Sequence, residues 1–146
     1  MAVCGPSECG PETARIAEEV GREIARHGAI LLCGGLGGIM EAAARGARAE
    51  GGLTVGILPG SSAADANPFI DLPIVTGLSH ARNLVLVRSA DAVIAVEGGY
   101  GTLIEVASAL KMEVPVIGLR TWEVSPLIVR AATPAEAVKL ALERAR

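Results

Sequence analysis

Glu97-Gly98-Gly99-Tyr100-Gly101-Thr102-Leu103-Ile104-Glu105 follows the apolar run Ala92-Val93-Ile94-Ala95-Val96. A β-branched run enters a glycine turn, and Leu103, Val106 and Leu110 then recur at helical spacing. The order strand, glycine loop, helix is the unit from which parallel α/β sheets are built. Its helix opens on unpaired backbone N–H groups and the positive end of the helix dipole, which favour a phosphate or other anion. Gly98, Gly99 and Gly101 let such an anion approach the backbone with no Cβ in the way.

The same grammar runs outward through the chain. Met1–Cys4 reads as a first strand and Gly5–Gly10 as a loop, with Pro11 well placed to open a helix that Gly28 ends. Ala29–Cys33 is a second strand, followed by Gly34-Gly35-Leu36-Gly37-Gly38 and an alanine-rich helix over 39–50. Leu53–Leu58 is a third strand, and Ile74-Val75 a short fourth. Ser79 caps a helix through Arg88, Asp91–Val96 is a strand, Thr102–Lys111 a helix and Val114–Leu119 a last strand. Thr133-Pro134-Ala135-Glu136 starts the final helix. Continuous rather than alternating apolar strands imply burial on both faces, and hence a single-domain, doubly wound, Rossmann-like parallel sheet flanked by helices. Three glycine-bearing loops then fall at carboxyl ends of strands, where ligands of such sheets bind. They supply Gly5 and Ser7, Gly34 and Gly35, and Gly98, Gly99, Gly101 and Thr102 as candidate phosphate or nucleotide contacts.

With 146 residues, 51% of them hydrophobic and 20% charged, the chain fits one packed domain. A net charge of −3 and only three aromatic residues, Phe69, Tyr100 and Trp122, speak against nucleic acid as a partner. No secretory leader or membrane span is indicated, so the expectation is a cytoplasmic protein. Cys4, Cys9 and Cys33 lack paired spacing, and neither a disulfide framework nor a metal site is expected. The apolar surplus implies a homodimer or homotetramer.

Several residues carry two readings. Gly35-Leu36-Gly37-Gly38 lacks the third glycine of a dinucleotide fingerprint and no Gly-Lys-Ser/Thr follows it, so it is either a tight strand-to-helix turn or a direct ligand contact. Thr102-Leu103-Ile104-Glu105 fits a capping box, the simpler local reading, yet Glu105 also lies one turn from the anion site. Arg82 opposes the helix dipole early in the helix from Ser79, which suggests a carboxylate or a phosphate as its partner. His80 reads as a surface residue.

Together these residues resemble the LOG or "lysine decarboxylase-like" family, whose hallmark is Pro-Gly-Gly-x-Gly-Thr-x-x-Glu. Gly98, Gly99, Gly101, Thr102 and Glu105 match it, and Glu97 replaces the proline. The likeness extends through Gly34–Met40, Val55–Pro59 and Arg82, over residues 1 to about 120. The resemblance implies a Rossmann-like oligomer that hydrolyses the N-glycosidic bond of nucleoside 5′-monophosphates to free base and ribose 5-phosphate. Arg82 and Glu105 would be its catalytic residues, with no cofactor and no lysine decarboxylase chemistry. Glu105, close to a helix N-terminus, is then expected to stay ionised. Arg82-Asn83 replaces the family's Arg-Lys, Ile104-Glu105 its Glu-Glu, and the Pro59–Leu78 segment is condensed. In those respects the chain is similar to a sister branch that includes a molybdenum cofactor carrier protein. A non-enzymatic carrier or sensor of a nucleotide or molybdopterin-type phosphate ligand is the alternative.

Overall fold

The computed structural model describes all residues, 1–146. Its elements run β1 (Ala2–Cys4), α1 (Pro11–Arg26), β2 (Leu31–Cys33), α2 (Ile39–Ala49), β3 (Thr54–Leu58), β4 (Leu72–Val75), α3 (Arg82–Arg88), β5 (Val93–Val96), α4 (Tyr100–Lys111), β6 (Val116–Leu119), β7 (Val129–Arg130) and α5 (Pro134–Arg144). All six strand pairings are parallel, in the order β4-β3-β2-β1-β5-β6-β7. The order reverses at β1, which pairs with β2 on one side and β5 on the other. A crevice at the carboxyl ends of β1 and β5 follows from that reversal.

The inner strands β1, β2, β3, β5 and β6 read as apolar runs because helices cover both faces, whereas the edge strand β4 is exposed. Val3, Ile94 and Val96 join the core under α1, α2 and α5, whereas Ala2, Val93 and Ala95 face the core under α3 and α4. On the first face α1 and α2 meet backbone to backbone: a Cβ on Gly21 would lie 1.9 Å from the Ala43 carbonyl oxygen, and one on Gly46 the same distance from that of Glu18. The alanines of α2 are therefore a packing surface, where larger side chains would force the helices apart.

Four expectations need correction. The fourth strand is longer than Ile74-Val75, and a seventh, Val129–Arg130, follows β6. Its two residues carry no periodic signal, and their pairing to Ile117 and Gly118 is a tertiary fact. Ser79 does not cap a helix: it opens a single 3-10 turn with φ +50, its side chain makes no cap bond, and α3 begins at Arg82. The fourth is the start of α4, which governs the site. No helix is long and apolar enough to cross a membrane.

Candidate functional site

The pattern Thr-x-x-Glu occurs at 102–105 and at 133–136. At the second place it is a cap: Thr133 Oγ1 accepts from the Glu136 N–H at 3.2 Å, and Glu136 reaches back to the Ala132 N–H at 2.7 Å. At the first it is not. Gly99 is the N-cap of α4 and Tyr100 its first residue, so Thr102 already lies inside the helix and makes no cap bond. Helix formation two residues early removes the capping box and turns Glu105 inward. It also leaves the N–H groups of Tyr100, Gly101 and Thr102 without backbone partners, because the first such bond is Leu103 N–H to Gly99 C=O.

These groups face a cleft of about 360 Å³ at the switch between β1 and β5. The loop after β1 contributes Gly5 and Ser7, the start of α3 contributes Arg82, and α4 contributes Gly99, Gly101, Thr102 and Glu105. Arg82 is only 8% exposed, forms no ion pair, and its Nε and Nη1 are buried without a hydrogen-bond partner; Thr102 Oγ1 is likewise buried and unpartnered. A buried charge so poorly satisfied is costly, and an anion in the cleft would offset that cost. Glu105, 7% exposed, is not held ionised by the helix terminus. Burial pushes its carboxyl up to about 7, with the Arg82 charge and the Cys4 thiol pulling the other way. Desolvation wins because the carboxylate sits beyond the first turn, where the dipole has faded. Cys4 and Cys33 are buried beside the same pair, and burial holds both thiols protonated, Cys33 with its pKa pushed up to about 11.

Gly34, Gly35 and Gly98 stand behind the cleft rather than in its lining. A Cβ on Gly34 would fall 2.1 Å from Arg82 Nη1, one on Gly35 2.6 Å from Leu58 Cδ2, and one on Gly98 2.4 Å from Trp122 Nε1. Each leaves room for protein. Around Gly99 and Gly101 a Cβ would meet nothing within 4 Å. The cleft also includes Met40, His80, Asn83 and Tyr100, to which sequence reasoning gave no role. Asn83, which stands in the sequence as the departure from Arg-Lys, is 5% exposed. Ile104, the other departure, is half exposed and outside the cleft. No group of three or more His, Cys, Asp or Glu side chains forms a metal-binding cluster.

A hollow of about 410 Å³ lies beyond Trp122, in the loop after β6. Its arginines are exposed and paired, Arg120 with Glu12 at 2.8 Å and Arg130 with Glu123 at 2.6 Å. It offers no unsatisfied buried charge, so the cleft at Arg82 is the stronger site.

Among solved structures, the molybdenum cofactor binding protein of Rippkaea orientalis is similar over 97% of this chain and 94% of its own, with 38% identity and a TM-score of 0.92. The molybdenum cofactor carrier protein of Chlamydomonas reinhardtii is similar over 97% and 95%, with 37% identity and a TM-score of 0.88. A cytokinin riboside 5′-monophosphate phosphoribohydrolase of Mycobacterium tuberculosis is 38% identical over 110 residues, which are 73% of this chain and 58% of that protein. The model of the SLOG cluster4 family matches residues 1–144. A doubly wound sheet with a glycine-lined cleft at its switch point, matched over almost its whole length, places this chain in the SLOG cluster4 family.

Proposed function

We propose that this protein binds a phosphate-bearing small molecule of the nucleotide or molybdopterin type in the cleft at Arg82. The observation that carries this reading is Arg82 itself, a buried guanidinium with two unpartnered nitrogens beside the open N-terminus of α4. The phosphate would accept from the N–H groups of Tyr100, Gly101 and Thr102 and from Thr102 Oγ1, with Arg82 supplying the charge. The names of the two structural relatives support a binding or carrier role. Titration calorimetry with AMP, GMP and ribose 5-phosphate tests it. Binding that weakens at least tenfold in Arg82→Ala is expected; no binding of any of the three to the folded protein would overturn it.

A second reading rests on Glu105. A carboxyl raised to about 7 holds and releases a proton near neutrality, which suits general acid–base work or stabilisation of a ribosyl cation next to a bound 5′-phosphate. The likeness to the phosphoribohydrolase supports hydrolysis of nucleoside 5′-monophosphates. Incubation with AMP, GMP, CMP and UMP distinguishes the two: release of free base, abolished in Glu105→Gln, makes the protein an enzyme. Ligand binding without release from any of the four leaves it a carrier or sensor.

We further propose that a second copy covers the exposed apolar residues Leu72, Ile74 and Val75 of β4 and Leu84 and Val85 of α3. Light scattering that returns the mass of a single chain would refute this.

A further inference from the structure

Two of the three aromatic residues of this chain stack on each other, Tyr100 lining the cleft and Trp122 the hollow beside it. Tyr100, the first residue of α4, is 82% exposed and stacks on Trp122, with ring centroids 6.4 Å apart and an interplanar angle of 22°. Trp122 is held from below. Its Nε1 donates to the Gly99 carbonyl at 3.2 Å, and its indole occupies the space that a side chain on Gly98 would need. The neighbouring Thr121 hydroxyl donates to the Glu97 carbonyl, which ties the loop after β6 to the glycine loop. A lone exposed aromatic needs no explanation, but this ring is fixed on a second ring and is part of the cleft lining. The core claims neither, whereas Phe69 packs against it and under Arg45.

We propose that Tyr100, backed by Trp122, is a stacking platform for a planar heterocycle, and so determines which phosphate esters the cleft selects. The inference rests on the phosphate reading of the cleft and adds the recognition of the organic half of the ligand. Tyr100 lies between Gly99 and Gly101, so a ligand whose phosphate sits on these N–H groups brings its attached ring system to the tyrosine face. Stacking selects aromatic over saturated partners and tolerates different bases, since each has a π-face. The cleft therefore takes purine or pterin esters in preference to sugar phosphates.

Ribose 5-phosphate, AMP and GMP separate the two halves of the ligand, and Trp122, the sole tryptophan, reports directly on the platform. At least one of AMP and GMP is expected to bind about tenfold more tightly than ribose 5-phosphate and to change Trp122 fluorescence, which ribose 5-phosphate leaves unaltered. Tyr100→Leu, which keeps the backbone N–H, is expected to erase that advantage, bringing the ratio of AMP or GMP affinity to ribose 5-phosphate affinity to about one, and Tyr100→Phe to retain it. Equal affinity of wild type for all three, or an equal loss for all three in Tyr100→Leu, overturns the platform and leaves the phosphate reading standing. Failure of all three to bind overturns both.

Discussion

Gly34–Gly38 and Gly98–Gly101 both lie at the carboxyl ends of strands and both precede a helix, yet they spend their missing side chains differently. In the first loop protein fills the space: Arg82 against Gly34, Leu58 against Gly35, and the Pro6 and Ser7 backbone against Gly38. The Pro6 carbonyl also accepts the Ile39 N–H at 3.1 Å, so the first N–H of α2 is already taken. In the second loop only Gly98 is filled, by Trp122, while Gly99, Gly101 and the first N–H groups of α4 face open space. One loop is closed by protein, and the other is left open beside the first N–H groups of α4. The first still reaches the cleft, through the room that Gly34 leaves for Arg82.

Gly38→Ala tests the contrast most severely. With φ +63 and a Cβ 2.4 Å from the Pro6 carbonyl oxygen, it should cost about 3 kcal/mol or more in urea unfolding, from left-handed strain plus backbone overlap. A cost below about 1 kcal/mol would break the claim that this loop is closed by protein.

Glu105, near both loops, gives a pH signature of similar size. Its folded pKa, up to about 7, lies above the ordinary 4.5, so the native state retains a proton that the unfolded chain releases. Its share of stability is full below about pH 4.5, falls through the window up to about 7 and is flat above it, a loss on the order of 3 kcal/mol. Glu105→Gln should remove that slope from urea unfolding measured between pH 4.5 and 8; a variant that keeps the wild-type slope would place the titration elsewhere.

Gly34→Ala should cost less, about 1–2 kcal/mol, since the clash falls on the far end of a side chain. Ligand affinity should nonetheless fall at least tenfold as the guanidinium is displaced. Unchanged affinity would detach the first loop from the cleft. Gly101→Ala is the smallest and most pointed test. Inside α4, in open space, alanine should stabilise the fold by about 0.5–1 kcal/mol. The same methyl should weaken AMP binding, so stability and affinity move in opposite directions; a gain in stability with no loss of affinity would move the phosphate away from α4.

Much of this arrangement was legible from local pattern. Gly5, Ser7, Gly99, Gly101, Thr102, Arg82 and Glu105, chosen from the sequence, fall around one cleft because strand–glycine–helix units place their loops at the same edge of a parallel sheet. What escaped depends on partners far along the chain. The Thr-x-x-Glu at 102–105 shares its spacing with the one at 133–136, but only the second begins at a helix cap. Strand β7 exists through its pairing with β6 and has no pattern of its own.

The sequence alone determined the layers: apolar runs long enough for a strand buried on both faces, amphipathic helices between them, and glycine where the chain must turn. Those are short-range consequences of periodicity and backbone freedom. Only the tertiary structure decided which glycines are filled by protein and which stay open, and that Arg82 and Glu105 lose their water. Solvation at a residue is set by whatever folds against it. Here that is Gly34 meeting Arg82 and Trp122 meeting Gly98, contacts between residues too distant in the chain for any local pattern to record.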